Sequence, residues 1–295
     1  MPNSDRIGIL GVGRMGGPIA RNLAAAGFDV TVYDVDGRRS ARAGAAIAES
    51  GRDLAESSDI LVTVLPGIPE IADAMIGADP LVESMRPGSL WLDFTSNDPR
   101  VARQIAERAA ARGVESVGAP MAGGVDAAGT ASLRFYPGGA PSAIDRVRPL
   151  VEALGSIQQV GDTIEAGYVA KLLANLLWFG QAVAVTEALL LGQALGLSPA
   201  ALRDQLASSA GGSVFIDEYL DRLLDGDYLE SFGIDRCVEE LETLVSLARD
   251  SDSPFEVSSA VARIHREALE RFGAIDGELL GARLLEERAG RTLRR

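Results

Sequence analysis

Apolar residues in the first half of the chain gather in short runs at 7–10, 30–33, 60–65, 90–94, 114–117 and 133–136. Runs of this length bounded by turn residues predict buried strands. Between them lie Ala- and Arg-rich stretches of helical character, such as 18–26 and 100–112. Gly27, Gly67, Pro87-Gly88, Gly113 and Gly138-Gly139 punctuate the boundaries. Strand, helix, strand at this spacing predicts βαβ units and a parallel sheet covered on both faces.

Beyond about residue 162 the strand signal stops. Long helical patterns follow at 165–195, 199–208 and 234–249, and Ser198-Pro199 reads as an N-cap followed by a first-turn proline. The longest apolar stretch, 172–197, exceeds the roughly 20 residues that a membrane span needs. Asn175, Gln181, Glu187 and Gln193 interrupt it and scatter around a helix, which points to a helix buried between domains or subunits and to no membrane.

The first strand runs directly into Gly11-Val12-Gly13-Arg14-Met15-Gly16, a G-x-G-x-x-G turn that opens a helix. Gly11 permits the tight turn, Gly13 lets backbone approach a pyrophosphate, and Gly16 allows close helix–strand packing. Asp34 closes the next strand at the distance, about 20 residues on, where a carboxylate receives the ribose hydroxyls of a dinucleotide. An acid there repels a 2′-phosphate, so NAD is expected over NADP, although Arg38 and Arg39 stand close by. The expected fold class is therefore α/β: an N-terminal Rossmann-type doubly wound sheet followed by an all-α C-terminal domain. The expected division is a dinucleotide-binding domain at 1–162 and a helical substrate and oligomerisation domain at 163–295, the latter opening with a long interdomain helix.

Charge and rare residues narrow the chemistry. With 42 acidic against 28 basic side chains the net charge is −14, which offers no electrostatic footprint for nucleic acid or an anionic membrane. One cysteine, Cys237, excludes an internal disulfide and fits a cytoplasmic location, as does the absence of a secretory pattern at the start. One histidine, His265, excludes a His-rich metal site, and no metal is expected. The chain holds a single lysine, Lys171. The tail 288–295, with four arginines, is expected to be frayed and solvated.

Four segments together resemble the β-hydroxyacid dehydrogenase family, the group of 3-hydroxyisobutyrate dehydrogenase and tartronate semialdehyde reductase. They are 7–23 with its glycine loop, Ala119-Pro120-Met121-Ala122-Gly123-Gly124, Gly167-x-x-x-Lys171-x-x-x-Asn175, and 232–241. The resemblance covers about 7–276. It implies cofactor contacts at Gly11, Val12, Gly13, Arg14, Met15, Gly16 and Asp34, and at Leu65, Pro66, Thr95 and Ser96. It implies a substrate loop at Ala122, Gly123 and Gly124, and Lys171 with Asn175 as the catalytic pair. Lys171 would exchange the proton that accompanies hydride transfer. A lysine's ordinary pKa near 10.4 falls when apolar surroundings desolvate it. The implied assembly is a homodimer or homotetramer acting on a small molecule.

The chain departs from the family pattern at several of these positions. The loop serine is Ala122 and its aspartate Gly118; the second lysine is Glu239 and its acidic partner Glu240. Glu239 is expected to change the charge that the substrate meets, and Arg236, one turn earlier, to restore a positive one. These departures leave two further readings: an imine reductase of a related branch, and a dinucleotide-binding protein without turnover.

Overall fold

The computed structural model describes residues 5–295. Two compact units divide between Lys171 and Leu172. Along the first run β1 (Arg6–Leu10), α1 (Gly16–Ala25), β2 (Asp29–Tyr33), α2 (Gly37–Arg42), β3 (Ala46–Ile47), α3 (Gly51–Ser57), β4 (Ile60–Thr63) and α4 (Ile68–Ile76). There follow β5 (Leu90–Asp93), α5 (Pro99–Ala110), β6 (Glu115–Gly118), β7 (Met121–Ala122), α6 (Gly124–Gly129), β8 (Leu133–Phe135), β9 (Gly138–Gly139), α7 (Pro141–Glu152) and β10 (Gly155–Ile157).

The main sheet has the order β3-β2-β1-β4-β5-β6-β9, parallel except where β9 runs against β6. Ile7 sits in register with both Val30 and Ile60, so the chain reverses its winding at β1 and β4. Such a switch point opens a crevice beyond the carboxyl ends of the strands, where nucleotides bind in sheets of this kind. A small second sheet has the order β10-β8-β7.

β4 and β5 are buried at every position, and β1 at every position after Arg6, because both faces are covered. Ile7, Ile9, Val62 and Leu92 pack with Ile19 and Leu23 of α1 and Val147 and Val151 of α7. Leu61 and Trp91 face the other way, with Leu54 of α3, Ile71 and Met75 of α4 and Ile105 of α5. The observed strands stop at Thr63, Asp93 and Phe135, short of the apolar runs that predicted them. The residues beyond those ends form the loops at the carboxyl edge. The two- and three-residue strands β3, β7, β9 and β10 carry no legible alternation in sequence.

The second unit is helical. Its first helix, α8 (Ile164–Ala194), begins inside the first unit. It is followed by α9 (Pro199–Ala207), α10 (Leu220–Leu224), α11 (Ile234–Asp250), α12 (Glu256–Phe272) and α13 (Leu280–Ala289). Leu172, Leu176, Phe179 and Leu189 of α8 join Phe215, Leu220, Leu241 and Ile264 in one apolar core. By length and composition α8 could cross a membrane, and 33% of its most apolar window is buried. Its outward side carries Leu173, Leu177 and Leu191 in exposed positions, so the helix is amphipathic by burial although nearly uniform in composition.

The C-terminal tail is not frayed. Leu293 is fully buried, and its backbone N–H donates to the buried carboxylate of Glu286 at 2.6 Å. Arg294 pairs with the same carboxylate at 3.2 Å, and Arg295 with Asp225 at 2.8 Å. Arginines that the sequence pattern assigns to a solvated end instead fix the tail to two acidic partners.

Candidate active site

The glycine loop shows why each glycine is needed. Gly11 has φ of +90°, and a Cβ there would lie 2.4 Å from the carbonyl oxygen of Val64. A Cβ on Gly16 would lie 2.0 Å from the carbonyl oxygen of Gly11, so the turn closes directly onto the first residue of α1. At Gly13 the space is open: the nearest atom to a Cβ would be Arg39 Nη1 at 3.8 Å. That opening lies at the start of a ten-residue helix whose N-cap carries no side-chain hydrogen bond, the kind of helix end that suits an anion. Arg14 stands exposed at the loop's tip, and Met15 is the residue just before α1.

Asp34 lies just past β2 and is 8% exposed. Its Oδ2 accepts the N–H of Val12 at 2.9 Å, and its Oδ1 accepts the N–H of Asp36 at 2.9 Å. The carboxylate therefore holds the glycine loop and the β2 turn together beside the cradle. Arg39 Nη1 approaches Asp34 Oδ1 at 3.8 Å from the exposed side.

The loops after β4 and β5 are joined. The N–H of Leu65 donates to Oγ1 of Thr95 at 3.1 Å, which brings Leu65 and Pro66 beside Thr95 and Ser96. Thr95 itself is buried, so its hydroxyl works between loops, while Pro66 is exposed and Ser96 half-buried.

Beneath this pair sits Asp93, fully buried at the end of β5. Thr63 Oγ1 donates to its Oδ1 at 2.7 Å, as does the N–H of Thr95 at 3.0 Å. Asn97 Nδ2 donates to Oδ2 at 3.1 Å and Tyr168 OH at 2.8 Å. Burial pushes the Asp93 carboxyl above the usual carboxylate range, and these donors pull against that shift. Burial and the neighbouring Asp93 raise the Tyr168 phenol well above its ordinary value. Buried polar groups of this kind require complete pairing. The family match at Asp93-Phe94-Thr95-Ser96 takes in Asp93 without giving it a role, and Tyr168 is not found from sequence; an aromatic hydroxyl three residues before Lys171 is the signal that the sequence offers.

Tyr168 lies in the first turns of α8. Gly167 beside it packs closely on the end of β6 and the residues around it: a Cβ there would lie 2.2 Å from the carbonyl oxygen of Tyr136, 2.8 Å from that of Gly118 and 3.2 Å from Pro120 Cδ. Ala122, Gly123 and Gly124 run from β7 into α6, with φ of +123° at Gly123 and +69° at Gly124. Both glycines are exposed, and their backbone N–H groups form the kind of turn that receives an anion. The first unit thus brings together the glycine cradle, Asp34, the paired loops after β4 and β5, and the 119–124 loop pressed against the helix that carries Lys171.

Lys171 is half-buried. Asn175 is one turn further along α8 and shares its face. In the second unit Asn175 Nδ2 donates to Glu240 Oε2 at 2.6 Å, and Glu240 is buried. Arg236 Nη1 pairs with Glu239 Oε2 at 2.8 Å, one turn apart on α11. Glu239 and Arg236 are thus ion-paired with each other. Arg236 Nε also lies 3.5 Å from Asp235 Oδ2, so its one positive charge is shared between two carboxylates.

His265 and Cys237 lie outside this chemistry. His265 Nδ1 is 2.9 Å from the carbonyl oxygen of Val261, and its ring packs on Phe179. Cys237 is buried, and burial raises its thiol well above the ordinary range. Among the described residues no group of His, Cys, Asp and Glu is arranged to hold a metal.

Comparison with known proteins agrees with this geometry. The sequence model for the NAD binding domain of 6-phosphogluconate dehydrogenase matches residues 6–166. That for the NAD-binding region of NADP-dependent 3-hydroxyisobutyrate dehydrogenase matches 165–280. The mitochondrial 3-hydroxyisobutyrate dehydrogenase of Bos taurus is 30% identical over 90% of this chain and 82% of its own. The NAD-dependent L-serine dehydrogenase of Pseudomonas aeruginosa is 34% identical over 72% of this chain and 73% of its own. Among solved structures, Mycobacterium tuberculosis 3-hydroxyisobutyrate dehydrogenase with L-serine aligns at a TM-score of 0.86 and 25% identity, covering 96% of this chain and 99% of that one. An imine reductase from Streptomyces aurantiacus shares the fold at a TM-score of 0.61 and 21% identity, over 95% of this chain and 99% of its own.

Proposed function

The chain belongs to the β-hydroxyacid dehydrogenase family of NAD(P)-binding oxidoreductases, and from that membership we propose that it moves a hydride between nicotinamide and the CH–OH or carbonyl carbon of a small 3-hydroxy acid or semialdehyde, with Lys171 as general acid and base. The observation that carries the reading is the position of the only lysine in the sequence. It stands on a helix whose first turns press against the 118–120 backbone, one turn before Asn175.

The open space at Gly13 and the Asp34 carboxylate fit a dinucleotide: Gly11–Gly16 would receive the pyrophosphate and Asp34 the adenosine ribose. The bound dinucleotide supplies the hydride acceptor or donor. Everything else falls to the chain. Gly123 and Gly124 would hold the substrate carboxylate through their N–H groups. Lys171 Nζ takes the hydroxyl proton as the alcohol is oxidised, and returns it to the alkoxide in the reverse direction. Its ammonium form stabilises developing negative charge on that oxygen. Asn175, its amide held by Glu240, would hold the same hydroxyl in place.

NAD is the proposed cofactor in preference to NADP, since Asp34 is nearly buried in its place and offers a 2′-phosphate only repulsion. A cytoplasmic homodimer or homotetramer is proposed, supported by Leu173, Leu177 and Leu191 on the exposed side of α8 and by exposed Leu195 just after it. The test is nicotinamide absorbance with NAD and NADP separately against 3-hydroxy acids, their semialdehydes and cyclic imines. Turnover of an acid or semialdehyde with NAD supports the reading. Turnover of imines alone would move the chain to the reductase branch, and tight NADH binding with no turnover would make it a non-catalytic binder.

A further inference from the structure

Arg134 occupies the middle strand of the small sheet. Its neighbours in β8, Leu133 and Phe135, are fully buried in the core, so residue 134 points to the opposite face and is exposed. On that face its antiparallel partner is Ala122 of β7, and its parallel partner is Ser156 of β10. Residues in direct register carry side chains on one face about 5 Å apart. Arg134 therefore projects beside Ala122, the residue that leads into Gly123 and Gly124. Both flanking residues are small and leave the guanidinium uncovered.

This arginine is also uncommitted. Most arginines of this acidic chain are ion-paired, for example Arg6 with Asp59, Arg100 with Asp98 and Arg146 with Asp5. Among the described residues the side chain of Arg134 makes no ion pair or hydrogen bond. Arg236, the other cation considered for the substrate, is ion-paired with Glu239. A planar guanidinium presents two parallel donors to a carboxylate and remains charged at every working pH.

We propose that Arg134 is a specificity-determining residue that binds the carboxylate of the substrate together with the N–H groups of Gly123 and Gly124. It supplies from the neighbouring strand the side-chain donor that Ala122 lacks. The inference rests on the reading of 119–124 as the carboxylate loop. It narrows the substrate class to small acids that carry a free carboxylate, as against neutral alcohols, esters or imines.

The test compares 3-hydroxyisobutyrate with its methyl ester, using NAD, for the wild type and Arg134→Gln. Loss of a charge-assisted bond predicts KM for the acid raised about ten- to hundredfold. KM for the ester, KM for NAD and kcat should stay at wild-type values. An unchanged KM for the acid, or equal shifts for acid and ester, would overturn the inference while leaving the dehydrogenase reading intact. If the wild type turns over neither these compounds nor any other 3-hydroxy acid or semialdehyde, the dehydrogenase reading fails. Calorimetric binding of 3-hydroxyisobutyrate to the NADH-loaded protein then decides on Arg134 by itself. Weakening of about tenfold or more in Arg134→Gln supports the inference, and equal binding, or none to the wild type, overturns it.

Discussion

The phenol of Tyr168 donates to Asp93 at 2.8 Å, and its ring fills the place where a side chain at residue 118 would begin. A Cβ on Gly118 would lie 2.4 Å from Tyr168 Cε2. One aromatic side chain thus ties the start of α8 to the end of β5 and accounts for the glycine at 118. Lys171 follows three residues later, so the anchor sets the helix end from which the lysine projects.

Tyr168→Phe keeps the ring and removes one donor from a buried carboxylate. The expected cost is about 1–3 kcal/mol of stability in urea unfolding. Gly118→Ala should cost a similar amount through overpacking, about 1–3 kcal/mol. The pair Gly118→Ala with Tyr168→Ser should recover part of the Gly118→Ala loss, because the colliding ring is gone. Strict additivity of the two changes would contradict the contact.

Asp34→Ala removes the acceptor of two backbone N–H groups and the carboxylate aimed at the ribose. kcat/KM with NAD is expected to fall about tenfold or more, equivalent to roughly 1.4 kcal/mol. The ratio of NADP to NAD efficiency should rise, since the carboxylate that repels a 2′-phosphate is gone and Arg39 stands beside the loop. Steady-state kinetics with both cofactors check this, and an unchanged ratio would remove Asp34 from cofactor selection.

His265 makes stability depend on pH. Burial lowers its folded-state pKa below the ordinary value near 6.5, so the folded protein resists taking up a proton that the unfolded chain accepts. The stability it contributes is whole above about pH 6.5. It declines as pH falls through that value toward the folded pKa. His265→Gln is expected to flatten the fall in Tm between about pH 6.5 and 5 relative to wild type. Parallel curves would assign the pH dependence to other groups.

Much of the fold was legible because its signals are local. Apolar runs at 7–10 and 60–65 mark strands covered on both faces, and the spacing from the glycine loop to Asp34 marks a nucleotide site. What stayed hidden depends on distant partners. Nothing near Glu286 in sequence indicates that its carboxylate holds the final residues of the tail. Arg236 and Glu239 were each readable as a charge, but not their pairing, which a side-chain rotamer decides. Arg134 emerges only once the register of β7 and β8 sets it against Ala122.

The central claim is that Lys171 carries the proton. The most direct measurement is single-turnover NADH formation by Lys171→Ala and wild type on the acid that the wild type turns over best, with NADH affinity measured alongside. Removal of a general acid–base group predicts a fall in rate of about 10²–10⁴-fold, with NADH bound as in the wild type. A rate within a fewfold of wild type, with NADH bound equally, would contradict the account and place the proton transfer on another group.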